Sequence, residues 1–342
     1  MNYCKKVLVI APSWVGDLVI SQALLRLIKA KDPGCLIDVF ISSFLHPILR
    51  RMPEVDNCLI SPFKHGELRL ITRFKIARSL RNNFYTHAYI LPNSFKSALI
   101  PFFAGITHRI GWRGEMRYFL VNHMKCTTKK TLSMIEQYVT LGYEKNEIRN
   151  FLLPKLQIST SLRDATLKRL NILLSNKPIL AICPGSSFGD AKRWPTDYFA
   201  KIAQIKKNEG WEIWIFGSNM EQILAQKIQE KCHNVCLDLT GKIDLGEAID
   251  LLSLANGVLA NDSGLMHISA ALSKPLVAIY GPTSPEFAPP LSINKFKILY
   301  LNLPCSPCRK RWCPLQFNRC MHDLKPDMAL QAINNIITTD RN

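Results

Sequence analysis

LANDSGLMHISAALSKPLVAIYGPTSP, residues 259–285, opens on an apolar β-type run, turns at Asn261-Asp262-Ser263-Gly264, continues with helical spacing and closes on a second apolar run. That order of strand, turn, helix and strand is the repeating unit of a parallel sheet covered by helices. Upstream the same alternation continues through PILAICPG (178–185), a helical segment near 196–209, WEIWIFG (211–217), a second near 220–232, VCLDLTG (235–241) and a third near 246–255. Residues 1–150 repeat it, with strands expected at 6–11, 36–41, 57–60 and 87–91 and an amphipathic helix over LVISQALLRLIKAK (18–31). Each run ends at Gly, Pro, Asn or Asp. The expectation is an α/β chain of two Rossmann-like domains with parallel sheets facing one cleft, divided near 150–178. PDMALQAINNIITT (326–339) reads as a closing helix, entered through Pro-Asp.

The 342 residues suit two domains of about 150 each. At 47% hydrophobic and 20% charged, the composition is that of a globular chain rather than a disordered or collagenous one. Charge is the unusual quantity. Forty-four Lys and Arg face 26 Asp and Glu, a net +18, which calls for an anionic partner: nucleic acid, an acidic membrane surface or a phosphorylated substrate. The excess is uneven. Residues 1–150 carry 22 basic and 10 acidic side chains, whereas 151–342 carry 22 and 16, and the stretch 64–130 sets 13 cations against Glu67 and Glu115 alone. No run approaches the 18 or so apolar residues of a spanning helix, and the opening MNYCKKVLVIAPSWVGD reads as a first strand rather than a signal peptide. Eleven cysteines, an odd number and mostly isolated in apolar runs (Cys35, Cys58, Cys183), fit reduced thiols and a cytoplasmic location.

No two glycines stand one residue apart, so the dinucleotide fingerprint G-x-G-x-x-G is absent, as is a G-x-x-x-x-G-K-[ST] loop. No Asp-x-Asp pair is present either, and a metal-independent mechanism becomes the default. In APSWVGDLVISQ (11–22), Asp17 stands where a strand gives way to a helix, either as an N-cap or as a carboxylate base. CPGSSFGDAKRWP (183–195) combines flexible backbone, hydroxyls and cations; it is either a solvated turn or a cradle for phosphate oxygens. Asp262, Ser263 and Gly264 open a helix whose free N–H groups and dipole favour a diphosphate, with Asp262 expected to accept hydroxyl hydrogen bonds from sugar or ribose. His267 lies one turn on, and a lone histidine on such a helix is as often a packed core residue as a functional one. CSPCRKRWCPLQFNRC (305–320) begins with a C-x2-C pair, but its spacing departs from zinc ribbons; reduced thiols packing a basic loop are favoured over a structural metal or a disulfide.

Taken in order, WVGDLVISQALL (14–25), PGSSFGDAKRWP (184–195), NDSGLMHISAAL (261–272), YGPTSPEFAPPLS (280–292) and CSPCRKRWCP (305–314) resemble the bacterial ADP-heptose:lipopolysaccharide heptosyltransferases, glycosyltransferase family 9. The resemblance covers nearly the whole chain. It implies the GT-B fold, with an acceptor-binding domain at 1–160, a nucleotide-sugar domain at 161–325 and a C-terminal helix at 326–342 returning to the first domain. It implies no cofactor and no metal. Within the family the chain is most similar to the branch that adds the second heptose of the inner core. Ser186-Ser187 departs from the Ala-Glu common there and is closer to the first-heptose enzymes, while the cysteine loop favours the second.

The resemblance assigns Asp17 as catalytic base, Ser186, Ser187 and Lys192 to the donor diphosphate, Ser263 and Gly264 to the helix start beneath it, Asp262 to heptose hydroxyls, His267 to the donor's surroundings and Glu221 to the adenosine. The partners it implies are ADP-heptose, a Kdo-lipid A inner-core acceptor and the anionic cytoplasmic face of the inner membrane, with no nucleic acid. The cations Lys64, Arg69, Arg73, Lys96, Arg109, Arg113 and Arg117 would line or rim the acceptor site, with Lys96 and Arg117 as the named contacts.

Overall fold

The computed structural model describes residues 6–64, 66–126, 132–144 and 150–337. The last residues of the expected closing segment, 338–342, lie outside these. The chain divides into two compact units, Met1–Pro154 and Lys155–Asn342. The first contains β1 (Lys6–Ile10), α1 (Val15–Lys31), β2 (Leu36–Ser42), α2 (His46–Leu49), β3 (Asn57–Ser61), α3 (Leu70–Leu80), β4 (His87–Ile90), α4 (Leu99–Phe103), β5 (His108–Trp112), β6 (His123–Lys125) and α5 (Met134–Thr140). The second contains α6 (Thr160–Arg169), β7 (Ile179–Cys183), α7 (Thr196–Asn208), β8 (Glu212–Ile215), α8 (Gln222–Lys231), β9 (Cys236–Asp238), α9 (Leu245–Leu252), β10 (Gly257–Asn261), α10 (Gly264–Ala271), β11 (Leu276–Ile279), β12 (Phe296–Leu299), α11 (Arg319–His322) and α12 (Pro326–Ile337).

Each unit holds a six-stranded parallel sheet, ordered β3-β2-β1-β4-β5-β6 in the first and β12-β11-β10-β7-β8-β9 in the second. Numbered within each unit, both orders are the doubly wound 3-2-1-4-5-6. Strand order therefore reverses between β1 and β4 in one unit and between β7 and β10 in the other, and the loops leaving those strands open the crevice where such sheets bind ligands. The central strands read as continuous apolar runs because helices cover both faces. Every residue of β7, β10 and β11 is buried. Helix α9 opens with a capping box in which Asp244 and Glu247 satisfy each other's backbone N–H groups.

Helix α12 packs within the second unit. Its buried face, Ala329, Ala332, Ile333 and Ile336, joins the core formed by β7, β8, β10, β11 and α7 of the second unit. These residues recur at i, i+3, i+4 and i+7, and β7, β10, β11 and α7 supply a complementary apolar surface nearby. No described helix is long and apolar enough to cross a membrane.

Candidate active site

In the second unit the loop after β7 and the helix start after β10 lie side by side at the point of strand reversal. Asn261, fully buried at the end of β10, holds both ends of the loop. Its Nδ2 donates to the Pro184 carbonyl at 2.7 Å, and its Oδ1 accepts from the Trp194 N–H at 3.2 Å. Beside it the Lys192 ammonium reaches Asp262 Oδ2 at 2.5 Å, with both side chains largely out of solvent. Thr283 Oγ1, from the loop after β11, donates to the same oxygen at 2.5 Å. The carboxylate expected to meet sugar hydroxyls thus balances Lys192, so its charge is met within the protein.

Ser263 is the N-cap of α10, yet its hydroxyl caps nothing: Oγ is buried with no hydrogen-bond partner. An unmet buried hydroxyl beside the free N–H groups of a helix start is suited to an anionic oxygen. Gly264 is the first helical residue, so no side chain crowds that end. Ser186 is buried and Ser187 exposed on the facing loop. Glu221 follows β8, the neighbour of β7. One carboxylate oxygen accepts from the Ser218 N–H and hydroxyl at 2.8 and 2.5 Å, and the side chain packs against Gly185.

His267 Nε2 stands 4.0 Å from Asp262 Oδ1. Burial lowers its imidazole to about 4; the Asp262 charge opposes this and the Lys192 charge adds to it. The ring is therefore neutral at pH 7. Because the unfolded histidine titrates near 6.5, the unfolded chain alone takes up this proton as pH falls from 6.5 towards 4. The contribution to stability is complete above that window and is lost within it, by about 2 kcal/mol at pH 5. Denaturant midpoints measured at pH 7 and pH 5 should separate by less in His267→Gln than in the wild type.

In the first unit Asp17 lies in the first turn of α1, at the edge where β1 ends. The N-cap is Trp14, so the N-cap reading of Asp17 is corrected: it occupies the third helical position, where the dipole favours a carboxylate. Its charge, after burial, helps push the Tyr138 phenol upward.

Arg117 is not a surface contact. It is fully buried, and its guanidinium donates to the carbonyls of Pro92 (2.6 Å), Trp112 (2.7 Å) and Ser94 (3.3 Å) and to the side chains of Ser97 and Asn93. Burial pushes its pKa down to about 10, with Glu115 opposing. The fork ties the loop after β4 to the loop after β5, and a Cβ on Gly114 would stand 2.4 Å from the Asn93 carbonyl oxygen, so only glycine permits that approach. Lys96 rides on this braced loop, half-exposed, in the single 3-10 turn Phe95–Ala98. Arg73 and Arg109 are likewise spent on backbone carbonyls, including those of Lys96 and Leu120. Arg117→Met should cost roughly 3–5 kcal/mol, read as a fall in Tm, because it strands several buried acceptors, and Arg117→Lys should recover little of it for want of the planar fork.

Residues 73–318 match the model of glycosyltransferase family 9 (heptosyltransferase). The chain is 40% identical to lipopolysaccharide heptosyltransferase 2 of Escherichia coli K12, over 97% of this chain and 98% of that protein. It is equally identical to lipooligosaccharide heptosyltransferase 2 of Haemophilus influenzae, over 97% and 99%. The solved structure of E. coli ADP-heptose LPS heptosyltransferase II superposes with a TM-score of 0.87 at 37% identity, covering 98% of this chain and all of that one. The chain belongs to glycosyltransferase family 9.

Three residues of this family 9 chain escaped the sequence reading. Asn261 and Thr283 lie within quoted motifs, but only the contact between separate loops reveals their work. Arg311 lies in the cysteine loop. Its carbonyl accepts from the Ala191 N–H at 3.1 Å, and its guanidinium lies 5.9 Å from the Phe188 ring, which Lys192 approaches at 4.8 Å. Gly189, at φ +150°, permits this, since a Cβ there would stand 2.4 Å from the Arg311 carbonyl oxygen. The basic loop therefore flanks the candidate phosphate loop. Its cysteines 305, 308, 313 and 320 are free thiols.

Proposed function

We propose that the chain is an inverting, metal-independent glycosyltransferase that moves L-glycero-D-manno-heptose from ADP-heptose to the first heptose of the Kdo-lipid A inner core. The carrying observation is the full-length likeness to relatives named heptosyltransferase 2. In this reading the first unit binds the acceptor and the second the nucleotide sugar. Asp17 takes the proton of the acceptor hydroxyl as its oxygen attacks the anomeric carbon, and the bond from that carbon to the diphosphate oxygen breaks. The charge gathering on departing ADP is met by Lys192, the Ser263 hydroxyl and the N–H groups opening α10. His267, neutral and buried, holds the wall behind Asp262. The net charge of +12 on residues 1–150 suits an acceptor bearing phosphates and acidic sugars. We place the enzyme in the cytoplasm, peripheral to the inner membrane.

The test is an acceptor panel with ADP-heptose in the presence of EDTA. ADP release with mono-heptosylated Kdo-lipid A is expected. Silence there with turnover on the unheptosylated acceptor would move the enzyme to the first-heptose step, and silence on both would overturn the reading.

A further inference from the structure

Helix α3 carries apolar residues on its outer side as well as on the side that packs on the core. Its inner face is Arg73, Ala77 and Leu80, whereas Ile71 is 75% and Phe74 45% exposed. Ile71, Phe74, Lys75 and Arg78 fall at i, i+3, i+4 and i+7, one stripe along the outer surface. The first half of the stripe is apolar and the second cationic. Phe74 packs edge-on against Phe103 of α4, whose neighbour Phe102 is 39% exposed, so the apolar surface extends past the helix. Beyond Arg78, the Arg81 guanidinium donates to the Phe103 carbonyl while remaining exposed, and Lys75, Arg78, Ser79, Arg81 and Asn82 line a shallow recess. No acidic residue lies between Glu67 and Glu115, so nothing in this stretch of chain neutralises these cations.

We propose that this face of α3 docks the chain on an anionic phospholipid bilayer, Ile71 and Phe74 entering the headgroup boundary and Lys75, Arg78 and Arg81 holding lipid phosphates. Apolar side chains beside a basic cluster are the signature of an interfacial helix, and each cation near an anionic surface strengthens binding by about fivefold. A second copy of the chain fits worse, because a two-fold interface would set this cationic recess against its own image. The inference deepens the proposed function, whose acceptor is lipid-linked, but its test stands apart from transfer.

Full-length protein is sedimented with vesicles of phosphatidylglycerol and phosphatidylethanolamine and, in parallel, of phosphatidylcholine alone. Wild type should bind the anionic vesicles on the order of a hundredfold more strongly, and high salt should remove the difference. Lys75→Gln/Arg78→Gln should weaken anionic binding about 25-fold, and Ile71→Ser/Phe74→Ser about tenfold or more. Both variants should keep turnover on a delipidated acceptor, and Lys75→Gln/Arg78→Gln should also keep the wild-type Tm. Equal binding of wild type and variants would overturn the proposal. So would salt-insensitive self-association lost in the same variants, which would make the face a contact between copies. Vesicle binding without transfer to any acceptor would sink the functional reading and leave this one standing; transfer without vesicle binding would do the reverse.

Discussion

Asp17→Asn should lower kcat on ADP-heptose and mono-heptosylated acceptor by roughly 10²–10⁴-fold, the range attributed to a positioned general base. Asparagine keeps the shape of the side chain and its place in the first turn of α1 while removing the proton acceptor. The favourable interaction of a carboxylate with the helix start is also lost, about 0.3–1 kcal/mol. Donor binding, assigned to the other unit, should be unchanged by calorimetry. A variant within tenfold of wild-type turnover would remove Asp17 from the base role.

Lys192→Met should cost both activity and stability, and the two losses can be separated. Removing the ammonium leaves the buried Asp262 carboxylate with the Thr283 hydroxyl as a hydrogen-bond donor, and breaking one side of such a pair costs about 3–5 kcal/mol. Leaving-group stabilisation falls as well, by roughly 10²–10³ in kcat. In Lys192→Met/Asp262→Asn the stranded charge is gone, so thermal denaturation should return most of the lost Tm while turnover stays low. If the double variant regained wild-type turnover, Lys192 would be a packing residue rather than a counter-charge for ADP.

The fold was legible wherever burial on both faces makes strands continuously apolar, as in β7 ILAIC and β11 LVAI. Strands β5 (HRIGW), β6 (HMK) and β12 (FKIL) were not anticipated. Strands β6 and β12 lie at sheet edges, and all three mix polar with apolar residues and carry no alternation strong enough to mark them. The candidate ligand loops stand out in the sequence because glycine, hydroxyl and cation gather there within a dozen residues. Arg117 was misread for a physical reason. In a stretch with 13 cations and two acids every arginine looks like surface, and the carbonyls that bury this one belong to residues up to 25 positions away. The destination of α12 was hidden similarly: its stripe announces that it packs, and only the tertiary fold decides against what.

If Lys192 meets the donor diphosphate as proposed, its 2.5 Å contact with Asp262 makes donor binding an exchange of partners. The incoming diphosphate does not find a bare hydrated ammonium; it competes with a carboxylate already holding it. Part of the attraction is thereby cancelled in advance, which moderates affinity for the nucleotide sugar. The same carboxylate is ready to recapture the lysine once ADP has formed. A site working in that way would let its product go more easily, and turnover would gain at the end of the cycle what ground-state binding gives up at its beginning.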